Sequence, residues 1–384
     1  WISQANFCRP NRQIVNLSSI NTVFADLDTY RESWATGRTP NQLVESIKYY
    51  CALEGIPTPS LFNFSGQGVQ VKWLLDRPLP RDALPRWNAC ERYLVDRLLF
   101  LGADKSAKDG SRILRVANTV NSKNNKKCRV IRTENDHTGN PVRYSFDYLC
   151  EFLLPVDRSK IKSDRHSKRK NNRLESISNN KSPGIHPLSG RQLAWDRLND
   201  LRKLISMRGG VSRGERMLFL FWMMNFLWLS GATNNNQMYQ EAHALASEIS
   251  PFWPYRDKEL MTLYEKGKAY ERGEKIDFMG IKYTPLYTPK NHTLIRTFGI
   301  SEEEQRKLKT IINKDLARER RRDRDRKRDE ERRKNAGSMS REHYQRRAQQ
   351  RRDQVAELRR QGLSTRKIAE KLGMSKSQVG RLLC

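Results

Sequence analysis

Two aspartates, Asp26 and Asp28, stand at the end of a short apolar run at residues 22–27 whose pattern predicts a β-strand. Residues i and i+2 of a strand share a face, so both carboxylates project together from its carboxyl end. Two like charges about 4 Å apart repel by about 4 kcal/mol at an effective dielectric near 20. A cation or a proton must offset that repulsion. Divalent metal held by paired carboxylates is the usual arrangement for phosphoryl transfer, although surface loops also produce Asp-x-Asp.

Two further groups lie downstream. Ser65-Gly66-Gln67-Gly68 separates predicted strands at 61–64 and 69–75. Glycines in such a turn let backbone N–H groups approach a phosphate, and beyond it Gln70 and Lys72 share a face opposite Val69, Val71 and Trp73. Taken alone, the segment also reads as an ordinary glycine hairpin. The third group begins with Asp104, after Gly102-Ala103, and continues through Arg112, Arg115, Asn118, Asn121 and Lys123. Such a density of donors suits triphosphate and sugar, and a basic surface loop has the same composition.

The elements that must position these residues follow from periodicity. Helical spacing at 41–54 and 84–101, with extended segments at 22–27, 61–64, 69–75 and 112–132, gives the order β-α-β-β-α-β, that of a ferredoxin-like sheet with helices on one face. The expected organisation is an α/β (α+β) core over residues 1–155, a basic polar linker over 156–187, an all-α domain over 188–300, a charged Arg-rich helix over 301–336 and a small helical module over 337–384. Ser301 and Glu304 are spaced as a capping box. Opposite charges at i,i+3 and i,i+4 between 317 and 334 support an exposed helix.

Bulk properties narrow the function. Lys and Arg number 73 against 43 Asp and Glu, a formal charge of +30, which points to a polyanionic partner, nucleic acid in a soluble protein. Hydrophobic residues form 37% of the chain, low enough to imply solvated linker. The six cysteines include no C-x-x-C pair and read as reduced, structural thiols, as expected in a cytoplasmic protein. No signal peptide opens the chain, and its start at Trp1 rather than Met leaves room for a preceding segment. The apolar run 217–229 is shorter than the roughly 20 residues of a membrane span and contains Asn225, so it reads as a buried helix with no membrane role. Gly209 and Gly214 have P-loop spacing, but Glu215-Arg216 stands where Lys-Ser/Thr is required, which excludes a Walker A motif.

The order and spacing of the three groups resemble the archaeo-eukaryotic primase superfamily, especially the primases of plasmids and integrated elements. Asp26, Asp28 and Asp104 match that family's three acids, and residues 114–123 are similar to its Leu-Arg-containing stretch. Gln70 stands where many members have His, and Ala117-Asn118 replaces Pro-Gly. The resemblance covers residues 20–130. It implies Mg2+ or Mn2+ held by Asp26, Asp28 and Asp104, and nucleoside triphosphate and template bound by Ser65, Gly66, Gly68, Gln70, Lys72, Arg112, Arg115, Asn121 and Lys123. A single-stranded DNA template and a separate replicative helicase or polymerase are the partners it implies.

At the C-terminus, Ser364 can cap a helix holding Ile368, Ala369 and Leu372, Gly373 can turn the chain, and Ser375 can cap a helix that buries Val379 and Leu382. The pattern resembles a resolvase-type helix-turn-helix, with Lys376, Ser377, Gln378 and Arg381 facing a specific duplex site. A replication primase of a mobile element is the function expected. The alternative is a non-catalytic origin-binding initiator with a degenerate primase fold. A rolling-circle nickase would need His-x-His, which the six histidines never form. A transcription regulator leaves the three acids unexplained.

Overall fold

The structure is a computed structural model that describes residues 1–154, 186–278, 280–335 and 341–383. The expected linker therefore lies almost wholly outside the described residues. Contacts divide the chain into two compact units, Trp1–Ile312 and Asn313–Cys384.

The first unit opens with β1 (Ile2–Ser3), β2 (Ala5–Phe7), β3 (Leu17–Leu27), α1 (Pro40–Leu53), β4 (Leu61–Phe64), β5 (Val69–Pro80) and α2 (Leu84–Arg97). Ile20, Val23, Phe24, Ala25 and Leu27 of β3 are all fully buried, so both faces of this strand are covered and its sequence reads as continuous rather than alternating. Helix α1 starts at a complete capping box, Thr39 with Gln42, followed by Pro40. It buries Leu43, Val44, Ile47 and Cys51, the 3–4 spacing of one helical face. Under β3, Trp87 of α2 donates its indole N–H to the Thr22 carbonyl at 2.9 Å. Truncating this buried ring to alanine would cost about 3–5 kcal/mol.

The chain continues through β6 (Ile113–Leu114), β7 (Val120–Asn121), β8 (Lys126–Lys127), β9 (Arg129–Thr133), β10 (Arg143–Tyr144) and α3 (Phe146–Leu153). The main sheet has the order β2-β3-β5-β4-β9, and β10 pairs in parallel with β5. Its centre, β3-β5-β4, is antiparallel throughout and has the strand order of a ferredoxin-like core. Its edges differ from that expectation. The strand after α2, β6, pairs with β1 in a separate ladder, and β9 extends the sheet beyond β4. The cause lies in β3, which begins at Leu17, five residues before the expected start, and whose first half pairs with β2.

The helical part of this unit packs on the core through buried polar contacts. Helices span His186–Met207, Arg216–Ser230, Met238–Ile249 and Met261–Glu271. The apolar run forms the buried helix Arg216–Ser230, and its Asn225 is satisfied by both backbone groups of Tyr287, at 2.8 and 2.9 Å. Gly267 leaves room for the Trp228 ring, which a Cβ there would meet at 2.3 Å. No described helix is long and apolar enough to cross a membrane. The expectation of an all-α region is corrected by a hairpin, Ile276–Phe278 with Ile281–Tyr283. Nor is 301–336 one helix. Glu302–Lys307 is a short helix with the Ser301–Glu304 capping box, and Leu308, Ile311 and Ile312 are then buried.

In the second unit, the charged helix Lys314–Asn335 carries Asp–Arg pairs at i,i+3. Three more helices, Arg341–Arg360, Thr365–Leu372 and Lys376–Leu383, share a core of Val355, Ile368, Ala369 and Val379. Gly373 makes the turn at φ +61°, the left-handed conformation that ends a helix most cheaply on glycine.

Candidate active site

Strand β3 delivers Asp26 and Asp28, and a short backbone ladder brings Asp104 beside them. The Asp28 N–H donates to the Gly102 carbonyl at 2.8 Å, the Asp104 N–H donates to the Asp26 carbonyl at 2.9 Å, and Leu27 bridges to Ala103. Gly102, at φ +84°, allows this approach, since a Cβ would meet the Glu32 side chain at 2.9 Å and the Asp28 carbonyl at 3.2 Å.

The three acids act on one another. Burial pushes the Asp26 carboxyl up to about 6, with Asp28 and Asp104 adding to the rise, while Arg112 and a hydrogen bond from Gln70 oppose it. Asp28 is raised in the same direction, first by burial, against the pull of Arg31 at 3.4 Å and of Lys123. Asp104 accepts from the Ser106 amide at 2.8 Å and its hydroxyl at 2.9 Å. Asp28 is thus turned toward Arg31 and Asp104 toward Ser106. Among the described residues, no three His, Cys, Asp or Glu side chains form a ready-made metal cluster.

The glycine turn serves packing. A Cβ on Gly68 would lie 2.3 Å from the Leu27 carbonyl and 3.4 Å from Asp28 Cα, and one on Gly66 would lie 2.8 Å from Asn121 Cβ. Ser65 closes the turn by bonding both backbone groups of Gly68 at 3.1 Å. Asn121, almost fully buried, donates to the Ser65 carbonyl at 3.1 Å, and Asn124 donates to that of Gly66 at 2.7 Å. Ser65, Gly66, Gly68 and Asn121 therefore brace the strand end that carries the acids.

Gln70 is 1% exposed. It sits directly opposite Asp26 in the β3–β5 register, and its Oε1 accepts from Asn63 at 3.1 Å. Lys72 is partly buried, with its ammonium pushed down by desolvation and pulled back by Asp26. Arg115 lies over the Trp1 ring at 4.5 Å. Arg112 donates to the Ser106 carbonyl and pairs with Asp109 at 2.9 Å. Sequence reasoning did not single out Asn63 or Arg31. Asn63 faces Gln70 across the hairpin that joins 61–64 to 69–75, so the pairing register held that signal. Arg31 is three residues beyond Asp28.

Beyond Arg112 and Ser106 opens a polar cavity of about 660 Å³. Arg12, Arg92, Lys105 and Lys108 line it with Arg112, against a single carboxylate, Asp109, and its far wall is Thr233, Asn234 and Gln237. Gln237 donates to the Ser111 hydroxyl at 2.8 Å, and Arg12 donates to the Ser111 carbonyl at 2.9 Å. Five cations in one cleft favour phosphate, and the cleft shares Arg112 and Ser106 with the acids.

No described protein family matches the chain. It is 28% identical over 323 residues to a replication protein of Clostridium perfringens, an alignment covering 82% of this chain and 68% of that one. Two solved structures are also similar to this chain. The primase-polymerase AEP domain of cyanophage S-2L matches with 17% identity and a TM-score of 0.28, over 37% of this chain and 65% of that one. The primase RepB' matches with 14% identity and a TM-score of 0.24, over 68% of this chain and 73% of that one.

In the second unit, Lys376, Ser377 and Arg381 are exposed on the last helix. Gln378 is engaged locally. Its N–H donates to the Ser375 hydroxyl at 3.2 Å and its Oε1 accepts from the Ser375 N–H at 3.0 Å, so the pair forms a reciprocal cap. Arg381 lines a groove with Tyr344, Arg347 and Arg351 of the first helix.

Proposed function

We propose that this chain is a replication primase: a metal-dependent nucleotidyltransferase that copies single-stranded DNA, directed to a duplex site by its C-terminal three-helix module. The observation that carries the reading is the convergence of Asp26, Asp28 and Asp104, through the Gly102–Asp104 ladder, on the edge of a five-cation cleft. Basic composition alone supports only binding. Acids gathered at a mutual cost, next to a phosphate-attracting surface, support chemistry.

The donor chemistry of the three acids suits a divalent cation. All three offer hard carboxylate oxygens, and the burial and mutual repulsion that raise Asp26 and Asp28 are what a bound cation would offset. Asp26, Asp28 and Asp104 would hold Mg2+ or Mn2+, which would supply Lewis-acid activation of a hydroxyl and charge stabilisation for a leaving pyrophosphate. Gln70 keeps Asp26 oriented, with Asn63 behind it. Arg31 and Lys123 balance Asp28 until the site is loaded. Arg112, Lys105 and Lys108 draw the triphosphate toward the acids, and Lys72 adds charge from the strand behind Asp26.

The second reading, an origin-binding initiator that makes no primer, is favoured by one observation: Asp28 and Asp104 are each turned to a protein partner. Incorporation of labelled nucleotide by purified protein on single-stranded template, with Mg2+ or Mn2+ and with Asp26→Asn as control, separates the two. Metal-dependent extension lost in the variant supports the primase. No extension with either metal supports the initiator.

A further inference from the structure

Next to the acids lies a groove of different character. A cavity of about 750 Å³ is lined by Trp34, Arg38, Tyr49, Tyr50, Leu53 and Phe100. Tyr49 is 73% exposed, Leu53 69% and Phe100 62%. Apolar side chains scattered singly over a surface are ordinary, but three in one groove, beside two further rings, mark a binding site. The rings are ordered. Tyr50 stacks on Phe100 with centroids 5.4 Å apart and planes 17° from parallel, and the Arg38 guanidinium lies over Trp34 at 5.6 Å. Arg31 lies over Tyr30 at 5.3 Å in the same segment.

The groove and the acid site share backbone. Phe100 and Leu101 run straight into Gly102–Asp104, and the segment from Tyr30 to Trp34 leaves directly from Asp28. Three residues separate Phe100 from Asp104, four chain steps with a reach of at most about 14 Å, which is on the order of a few nucleotides.

We propose that this groove is a stacking platform for the bases of single-stranded DNA, carrying the template strand at the three-acid site. Every base has a π face, so rings bind a strand without regard to sequence, while interleaved arginines meet its phosphates. Here Arg38 lies among the rings, Glu45 of the same groove is paired with Arg132, and Arg31 stands over Tyr30 just outside it, in a chain whose net charge is +30. A groove for a protein helix would have no need of those arginines. The assignment deepens the primase reading and rests on it for the strand's identity as template. Binding itself requires no chemistry.

The test is fluorescence anisotropy of an oligothymidylate of about 20 nucleotides with the full chain at physiological salt in EDTA, so that catalysis plays no part. Tyr49→Ala and Phe100→Ala should each weaken binding roughly tenfold, a typical loss for one base-stacking ring. Phe100→Trp should bind as the wild type, and Phe100→Leu, which keeps apolar bulk but no ring face, should bind as the alanine variant. Affinity for duplex should stay within about twofold in all four, because paired bases present no free face. Phe100 is exposed, and equal melting temperatures will show that the fold is intact. Wild-type affinity in Phe100→Leu, or equal losses on single strand and duplex, would overturn the proposal and leave the groove to a protein partner. Failure of nucleotide incorporation with these binding results intact would count against the primase reading and not against the platform.

Discussion

Gln70 holds Asp26 from directly across the β3–β5 pair, and Asn63 holds Gln70 from the next strand. The position that the sequence resemblance sets against a primase His is thus occupied by a buried amide beside a carboxylate. Gln70→Ala should therefore lower kcat about tenfold to a hundredfold, with little change in KM for nucleotide, since the contact is to a catalytic group and not to substrate. Steady-state kinetics on a fixed template decides. A change confined to KM would return Gln70 to the substrate.

Asp26→Asn and Asp28→Asn should reduce primer synthesis by about a thousandfold or more while leaving duplex affinity intact. Under the primase reading the acids serve chemistry, and the Lys and Arg surface serves binding. The same changes remove one member of a repelling set. In metal-free buffer, Asp26→Asn should then be more stable by about 1–2 kcal/mol. Denaturant melts in EDTA check this, and a lower midpoint would show that the repulsion is not stored there.

Glu241 offers a pH test away from the site. Its carboxylate accepts the Ile14 and Val15 amides at 2.6 and 3.1 Å, yet burial pushes it up to about 7. A carboxyl raised on folding holds its proton while the unfolded chain releases one. Its contribution is therefore neutral below the unfolded value near 4.5 and grows more destabilising as pH rises toward 7. The full effect is about 3 kcal/mol. Glu241→Gln removes the titration while one oxygen still accepts one of the two amides, so its stability should stay nearly level between pH 4.5 and 8 where that of the wild type falls. Parallel stability–pH curves for the two proteins would refute the assignment.

In the second unit, removal of residues 341–384 should abolish preference for a cognate duplex and spare synthesis on bare single strands. The cut belongs at 341 because Val355 of the first helix is part of the module's core. Arg381→Ala should cost about 1–3 kcal/mol of discrimination at one base pair. Gln378→Ala should cost about 1 kcal/mol of module stability through the lost cap and weaken all duplexes alike. Gel-shift competition with single-base variants separates the two. Selective relaxation in Gln378→Ala would make it a base reader.

The acids were legible in the sequence because a strand's period of two puts Asp26 and Asp28 on one face with no need of tertiary information. Helix α1 was legible because Thr39, Pro40 and Gln42 announce its start locally. The packing role of the glycine turn was hidden for the opposite reason. What fills the space beside Gly68 is Leu27 and Asp28, some forty residues earlier, and composition does not record that approach. The sheet edges were hidden likewise, since β2 and β3 pair through residues with no alternating pattern. Cys90 and Cys150, sixty residues apart, bring their sulfurs to 3.3 Å, a contact that spacing could not suggest.

The boundary between core and helices carries a consequence for modularity. Trp195 donates to the Arg81 carbonyl at 3.0 Å, Gln237 bonds Ser111, and Glu241 seats Ile14 and Val15. A fragment ending at residue 154 would leave those buried groups bare, two of them backbone amides that nothing else on the core accepts in their place. The segment between 155 and 185 is therefore a poor point at which to exchange parts between such proteins. Recombination that swapped one half alone would part a carboxylate from the two amides it was shaped to receive, so the halves should be inherited together.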